Sequence, residues 1–392
     1  MLQIIYSYGS YHDYQSQYVM TIDDKLQKNA DVCKNFQVMR YKLPASVYVA
    51  PIRIHRGWIS YFIANICGSG NRFAWNVLGG RLMSKKIKRW WQQYFLPLIC
   101  KISPRKVHSY LYIQTHKNTS FPIINWDNPR THDEKIHWLM VNRYINPEFG
   151  FYADKIRVRE YVKKCGFEDM LIPIYEVHGN INDFDSSKVP KSFVLKTNHG
   201  SGLRFYEFIK DKKNHAFLDF GLKKMKKAMK VDYSKLSFEH HYSYIKPLVY
   251  AEHLLSDGNE RLNDYKIYVF HGKAKFVLVC TERNEDGEPL LNTYSLDWQE
   301  LDFIHKDLRG HLVNKPQSFE YMLKAAEKLG EPFAVARIDF YEVAGKPYFG
   351  EITLTPAAGN ALYFTDDAQI KIGEMIDLKL LEDYNFANKS HV

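Results

Sequence analysis

The stretch Phe193–Gly202, FVLKTNHGSG, decides the fold. Phe193, Val194 and Leu195 are a short apolar run of strand type, with Lys196 at its end. Thr197, Asn198, His199, Gly200, Ser201 and Gly202 follow. Two glycines framing a serine let the backbone turn tightly and point several N–H groups at one place. Such a nest suits an anion, above all the phosphates of a nucleotide, and a lysine on the adjoining strand adds a point charge for the same groups. A polar hairpin turn is the plainer reading of the same residues. The spacing is not Gly-x-x-x-x-Gly-Lys-Ser/Thr, so a P-loop fold is not implied.

Working outward, Tyr206–Ile209 reads as the return strand of a hairpin with the glycines at its tip. Residues 216–230 are a basic helix. Val249–Leu255 reads as a strand, followed by a polar turn, Ser256 to Glu260. Asp264–Phe270 alternates polar and apolar residues, a strand with Asp264, Lys266 and Tyr268 on one face. His271, Gly272 and Lys273 turn the chain and Ala274–Thr281 returns. Residues 318–329 are an amphipathic helix.

Phe333–Phe340, FAVARIDF, is a strand carrying Arg337 and Asp339 on one face. After a turn at Gly345 and Lys346, Tyr348–Thr355 returns with Glu351 and Thr353 on one face. Paired hairpin strands bring Asp339 and Glu351 together. Two carboxylates at that distance repel unless a cation lies between them or one is protonated. Oxygen-only ligands select a hard ion, and Mg²⁺ held by one or two carboxylates plus substrate phosphates is the usual arrangement. Salt-bridged surface acids are the plainer reading.

Upstream, NWDNPRTHDEKIHWL (residues 125–139) is a boundary where acidic residues return. Thr131 with Glu134 fits a capping box, and Ile136, Leu139, Met140 and Tyr144 form a core stripe. In ADKIRVREYVKKCG (residues 153–166), Asp154 caps a helix that Gly166 ends. Lys155 sits in its first turn, where an anion is already favoured.

The chain has 392 residues, enough for two or three domains. Its net charge of +10 is uneven. Val32 to Trp126 contains no Asp or Glu and carries 15 lysines and arginines, which leaves the remainder mildly acidic. Within this region lies MSKKIKRWWQQYFLPLICKISPRKV, residues 83–107. Basic residues beside Trp90, Trp91, Tyr94 and Phe95 suit a short helix on an anionic membrane surface. A buried helix with a solvated basic face fits too. Nucleic acid is the least favoured partner, since no helix-turn-helix, zinc-finger or RNP pattern is present. Five cysteines are odd in number, widely spaced and without a Cys-x-x-Cys, which points to reduced thiols in a cytoplasmic protein. The N-terminus is a poor signal peptide, and no apolar run approaches the roughly 18 residues of a spanning helix.

Taken together, NPRTHDEKIHWL, ADKIRVREYV, FVLKTNHGSG, VYAEHLL, DYKIYVFHGK, ARIDFY and GEITLTPAAG, in that order, resemble the ATP-grasp superfamily, and closely its TupA-like branch, named for teichuronopeptide synthesis. The resemblance covers residues 122–380 and leaves 1–120 aside. It implies an α+β fold in which two α+β subdomains clasp ATP, preceded by a basic, aromatic-rich, mostly helical N-terminal region. The expected parts are residues 1–120, a smaller subdomain with its linker over 121–250, and a larger one over 251–392.

Carried over by position, Lys155 and Lys196 would contact the ATP phosphates, and Asn198, His199, Gly200, Ser201 and Gly202 would form a mobile lid. Glu252, His253, Leu254 and Leu255 would hold the adenine, and Asp257 or Glu260 the ribose. Asp264 and Lys266 would face the phosphates, with Lys266 reaching the γ-phosphate or an acyl phosphate. Asp339 and Glu351 would hold Mg²⁺, and Arg337 would stabilise charge passing from ATP to substrate. Thr353 departs from the asparagine that many ATP-grasp enzymes carry as a further metal ligand.

The implied reaction is a carboxylate–amine ligation through an acyl phosphate. The substrates implied are a saccharide, such as a lipid-linked uronic acid, and an amino acid or other amine, at the inner face of the plasma membrane. Two other readings use the same residues. One is a sugar or lipid kinase. The other is a membrane-associated scaffold with a relic site, against which the intact Lys155, Lys196, Asp339 and Glu351 argue.

Overall fold

The computed structural model describes residues 2–7, 17–22, 96–256, 262–283 and 289–380. The chain divides into two units, Met1–Lys88 and Arg89–Val392. In the first, strands β1 (Leu2–Ser7) and β2 (Gln17–Ile22) pair antiparallel. So the first residues of the region expected to be helical include a strand pair. Trp90, Trp91, Tyr94 and Phe95 lie outside the described residues.

In the second unit the basic segment continues as two helices, α1 (Leu96–Ile102) and α2 (Pro104–His116). Pro104 opens α2, where its missing N–H costs nothing. These helices precede the boundary read at residue 120, yet Val107, Tyr112 and His116 are buried. Helix α3 (His132–Asn142) starts on the capping box read from sequence: Thr131 accepts from the Glu134 N–H, and Glu134 accepts from the Thr131 N–H. Two short helices follow, α4 (Glu148–Ala153) and α5 (Val158–Lys164). Asp154 accepts the N–H groups of Ile156 and Arg157 in the turn between them, and Gly166 closes α5 at φ +87°.

Strands β3 (Ile174–His178), β4 (Phe193–Thr197), β5 (Tyr206–Ile209) and β6 (Val249–His253) form a four-stranded antiparallel sheet in the order β3–β6–β4–β5. Phe193 and Leu195 of β4, with Val249 and Ala251 of β6, face helix α6 (His215–Ala228). Helix α6 buries Leu218, Gly221, Met225 and Ala228, spaced three or four apart. The period of two then puts Lys196, Tyr250 and Glu252 on the opposite face. A short helix α7 (Tyr233–Ser237) links α6 to β6.

The second sheet has six antiparallel strands in the order β10–β9–β8–β7–β11–β12. These are β7 (Asp264–Phe270), β8 (Lys273–Arg283), β9 (Pro289–Tyr294), β10 (Glu300–Leu301), β11 (Val335–Val343) and β12 (Lys346–Thr353). Helix α8 (Phe319–Gly330) lies on one face through Phe319, Met322, Ala325, Ala326 and Leu329. Gly330 has no room for a side chain, because a Cβ would lie 2.5 Å from Val269 Cγ1. The other face of β7 carries Asp264, Lys266, Tyr268 and Phe270. Helix α9 (Asp366–Glu374) follows the loop after β12 and packs against α3. No helix among the described residues is long and apolar enough to cross a membrane.

Candidate active site

Register assembles the site. On β11 and β12, Asp339 pairs with Glu351 and Arg337 with Thr353, and on the other side Asp339 pairs with Lys266 of β7. Polar side chains from three strands therefore share one face. Arg337 holds Asp339 through two contacts of 2.7 Å, from Nε to Oδ1 and from Nη2 to Oδ2. The same Nη2 lies 3.1 Å from Thr353 Oγ1 and 3.5 Å from Glu351 Oε1. Lys266 Nζ is 2.7 Å from Asp339 Oδ2 and also bonds Asp264. Lys155, from the turn before α5, reaches Glu351 Oε2 at 3.0 Å and donates to the Gly200 carbonyl at 3.1 Å.

The electrostatics follow this packing. Burial alone would raise the pKa of Glu351, but Lys155 and Arg337 outweigh it and hold the carboxyl at about 2. Asp264 is pushed up by burial and by Asp339, against the pull of Lys266. Burial lowers Lys266, but Asp264 and Asp339 more than restore it, so the ammonium is held charged.

On the smaller sheet, Lys196 pairs with Glu252 on the face away from α6. Lys196 and Glu252, expected at the ATP phosphates and at the adenine, are joined here by an ion pair. They are diagonal neighbours on β4 and β6, and each satisfies the other's charge. His253 donates its backbone N–H to the Pro173 carbonyl, and its Nδ1 is 2.7 Å from the Tyr175 hydroxyl. The strand read through Leu255 ends at His253, and Leu254 and Leu255 continue as irregular chain. Asp257 and Glu260 lie outside the described residues.

The glycine turn is the tip of the β4–β5 hairpin, and its first two residues are buried. Asn198 is fully buried. Its Nδ2 donates to Asp154 Oδ1 at 2.9 Å and to the Lys246 carbonyl at 3.1 Å, and its Oδ1 accepts the Leu248 N–H at 2.7 Å. Its amide thus joins three chain segments, the turn's own strand end, the Asp154 turn and residues 246–248. His199 is buried edge-to-face against Phe205. Gly200 is required by the same ring, which would lie 2.5 Å from any Cβ there. Ser201, Gly202 (φ +85°), Leu203 and Arg204 remain as the exposed tip.

The donors fit the cation expected from sequence. Asp339, Glu351 and Thr353 offer oxygen only, as Mg²⁺ requires. Between the two acids stands the Arg337 guanidinium, which supplies the positive charge their approach demands. Beside them, Asp264 Oδ1 is buried without a partner.

Sequence reading missed Glu239. It is buried, accepts a hydrogen bond from the Thr355 hydroxyl, and is pushed up to about 7 by that burial. The one signal was an acid set among Phe238, Tyr242 and Tyr244. Also missed was Asp133, which gathers His116, His132 and Gln369 around it.

A family model described as TupA-like ATPgrasp matches residues 134–377. No curated protein sequence matches. Among solved structures, the chain is similar to a D-alanine–D-alanine ligase from Bacillus anthracis, with 15% identity, 63% of this chain and 70% of that one covered, and a TM-score of 0.37. It is similar to D-cycloserine synthetase DcsG at 15% identity, 61% and 72% coverage, and a TM-score of 0.35. An L-amino acid ligase from Bacillus licheniformis shares 12% identity over 67% of this chain and 57% of its own, with a TM-score of 0.38. Likeness as distant as these three does not fix an activity.

Proposed function

The chain belongs to the TupA-like ATP-grasp family, and we propose that it joins a carboxylate of a cell-surface saccharide, such as a uronic acid, to an amino acid or other amine. Family membership makes it an ATP-grasp ligase, an enzyme that spends ATP to form a carbon–nitrogen bond. A carboxylate is a poor electrophile at neutral pH. Its oxygen attacks the γ-phosphorus, ADP leaves, and the acyl phosphate now has a good leaving group. The amine nitrogen then attacks the acyl carbon, phosphate departs, and the nitrogen gives up a proton.

One observation carries the reading: Arg337 and Lys266 of the large sheet, with Lys155 from the turn before α5, interlock with Asp339, Asp264 and Glu351. With Lys196 and Glu252, four cations face four acids. Such a site has no net charge to offer a nucleotide carrying about four negative charges, so the nucleotide must arrive with its own cation. Asp339, Glu351 and Thr353 are the residues to hold that Mg²⁺, which would supply charge neutralisation to the phosphates. Arg337 and Lys266, both held at Asp339 here, are the cations that would meet the transferring phosphoryl group. Lys155 and Lys196 meet the phosphates from the smaller subdomain. The exposed tip 201–204 keeps water from the acyl phosphate.

The saccharide rests on the family's link to teichuronopeptide synthesis and on the basic, aromatic N-terminal region. Ile102 and Leu98 of α1 are exposed beside Lys101, Arg105 and Lys106, an arrangement that favours an anionic membrane surface and lipid-linked sugars. The test is ADP release with MgATP and a panel of uronic acids and amino acids, with mass spectrometry of the product. An amide supports the reading. A phosphorylated sugar without an amide replaces it with a kinase.

A further inference from the structure

We infer that the pocket at the far end of β7, between the β7–β8 turn and the last turns of α9, is a second binding site of this chain, for a carboxylate-bearing saccharide. The site itself rests on geometry; its use in holding a polymeric substrate rests on the ligation proposed above.

The pocket encloses about 670 Å³, within the range of small-ligand sites. Phe270, Phe303 and Met375 form an apolar floor, and the exposed Lys273, Lys275 and Lys371 stand on the rim. It is separate from the phosphoryl-transfer site. Asp264 and Phe270 are the two ends of β7, and at about 3.3 Å per residue the steps between them span about 20 Å.

The backbone builds this rim by departing from a plain hairpin. Val269 pairs with Ala274 and Tyr268 with Phe276, so Lys275 is the extra residue of a β-bulge. A bulge re-aims side chains, whereas a strand of strict period two would put Phe276 on the face opposite Lys273. With the bulge, Phe276 stacks with Tyr268 and Phe270, and Lys273 and Lys275 both line the pocket. The turn has positive φ at His271 (49°) and Gly272 (75°), a type I′ turn that ordinarily opens on Asn or Asp. Here the Asp377 N–H donates to His271 Nε2 at 3.0 Å and fixes the ring. Burial lowers the His271 pKa, so the ring is neutral and its proton sits on Nδ1, a donor on the pocket wall.

The rim selects the ligand. Among the described residues neither Lys275 nor Lys371 has an ion-pair partner, and Lys273 meets Glu327 only at 3.8 Å. Glu374 shares the rim and would repel a densely charged polyphosphate. A sugar acid uses all three features. Its carboxylate meets the lysines, its hydroxyls donate to Glu374, and the C–H face of its ring lies on the apolar floor. Exposed charge pairs are individually weak, so one sugar acid binds poorly, and a chain of them held at two places binds well.

Calorimetric titration of the full-length protein with a short oligomer of galacturonic acid, without nucleotide, tests the inference. A neutral glucose oligomer of the same length is the comparison. Lys275→Gln with Lys371→Gln removes two rim charges at exposed positions, where folding is not at stake. Lys213→Gln, an exposed lysine before α6, controls for general charge. The double variant is expected to bind the acidic oligomer about tenfold more weakly, with Lys213→Gln within about twofold of wild type and MgATP affinity unchanged in both. In turnover the KM for the acidic oligomer rises about tenfold, and the KM for monomeric galacturonic acid does not. No binding of the acidic oligomer, or equal binding of the neutral one, overturns the inference. Equal weakening by Lys213→Gln overturns it too, leaving only general attraction to a basic protein. Loss of sedimentation with anionic vesicles in the double variant, with oligomer binding intact, overturns it in favour of a lipid surface. An unchanged KM for the oligomer overturns its use in holding substrate. If binding depends on Lys275 and Lys371 while no uronic acid is turned over, the pocket stands and the ligation reading fails.

Discussion

Lys155 Nζ lies 3.0 Å from Glu351 Oε2, and the same ammonium donates to the carbonyl of Gly200 at 3.1 Å. One side chain therefore ties an acid of β12 to the base of the glycine hairpin. The link brings a lysine of the turn before α5, unremarkable by itself, onto the face that carries Arg337 and Asp339. It also makes the charge state of Glu351 depend on a residue from a different part of the fold.

Replacing Lys155 by Met should weaken MgATP binding by about 10- to 100-fold, the scale of a lost charge-assisted contact to phosphate. Calorimetric titration of the nucleotide reads it. A second effect has a definite sign. Lys155 and Arg337 hold Glu351 at about 2, against burial, which raises it. Without Lys155 the carboxyl titrates at higher pH, so the acid limb of the activity profile moves upward. An unmoved limb would detach Lys155 from Glu351.

Glu351→Gln should abolish activation by magnesium while keeping the fold. The amide is isosteric and still accepts from Thr353, but it loses the charge that pairs with Lys155 and Arg337. Turnover is expected to fall by about 10³-fold or more, the order seen when a group that stabilises transferring charge is lost. A magnesium titration of ADP release checks it. Full activity at raised magnesium would remove Glu351 from the ligand set.

Much of the large sheet was legible because its strands alternate cleanly. Asp264–Phe270 has the read bounds, and Arg337, Asp339, Glu351 and Thr353 share one face as their spacing of two requires. The capping box at Thr131 and Glu134 was legible because it is written within four residues. What was not legible depends on register between distant segments. Lys196 meets Glu252 only because β4 lies beside β6, and no local pattern states that. Asn198 reads as part of a flexible turn, yet its partners Asp154, Lys246 and Leu248 come from other parts of the chain. Asp133 reads as an ordinary first-turn acid until the loop after β12 folds onto it.

Gly200→Ala tests the hairpin base without touching a charge. A Cβ would lie 2.5 Å from the Phe205 ring, so the ring must move or the turn must open. Overpacking of this kind costs about 1–3 kcal/mol. Thermal unfolding should show that loss, and kcat should fall with it as the tip 201–204 loses its support. Adding Phe205→Leu makes room and should recover part of both. A double variant no better than Gly200→Ala would place the strain elsewhere.

The last prediction concerns acid stability and turns on His241. Burial lowers its pKa to about 3, with His240 acting in the same direction, and its Nδ1 has no partner. In the unfolded chain an ordinary histidine titrates near 6.5. Between about 6.5 and 3 the unfolded state therefore binds a proton that the folded state refuses. Stability is full above the upper value and is lost as pH falls through that window, by at most about 1.4 kcal/mol per pH unit for one group. His137, lowered to about 4 by burial, adds the same effect over the upper part of the range. His241→Phe removes the titrating group and keeps the ring against Tyr144 and Tyr242. Urea unfolding at pH 7, 6 and 5 should show a shallower decline for the variant than for the wild type. Parallel declines would mean that His241 is protonated in the folded protein, or that its site opens before the molecule unfolds.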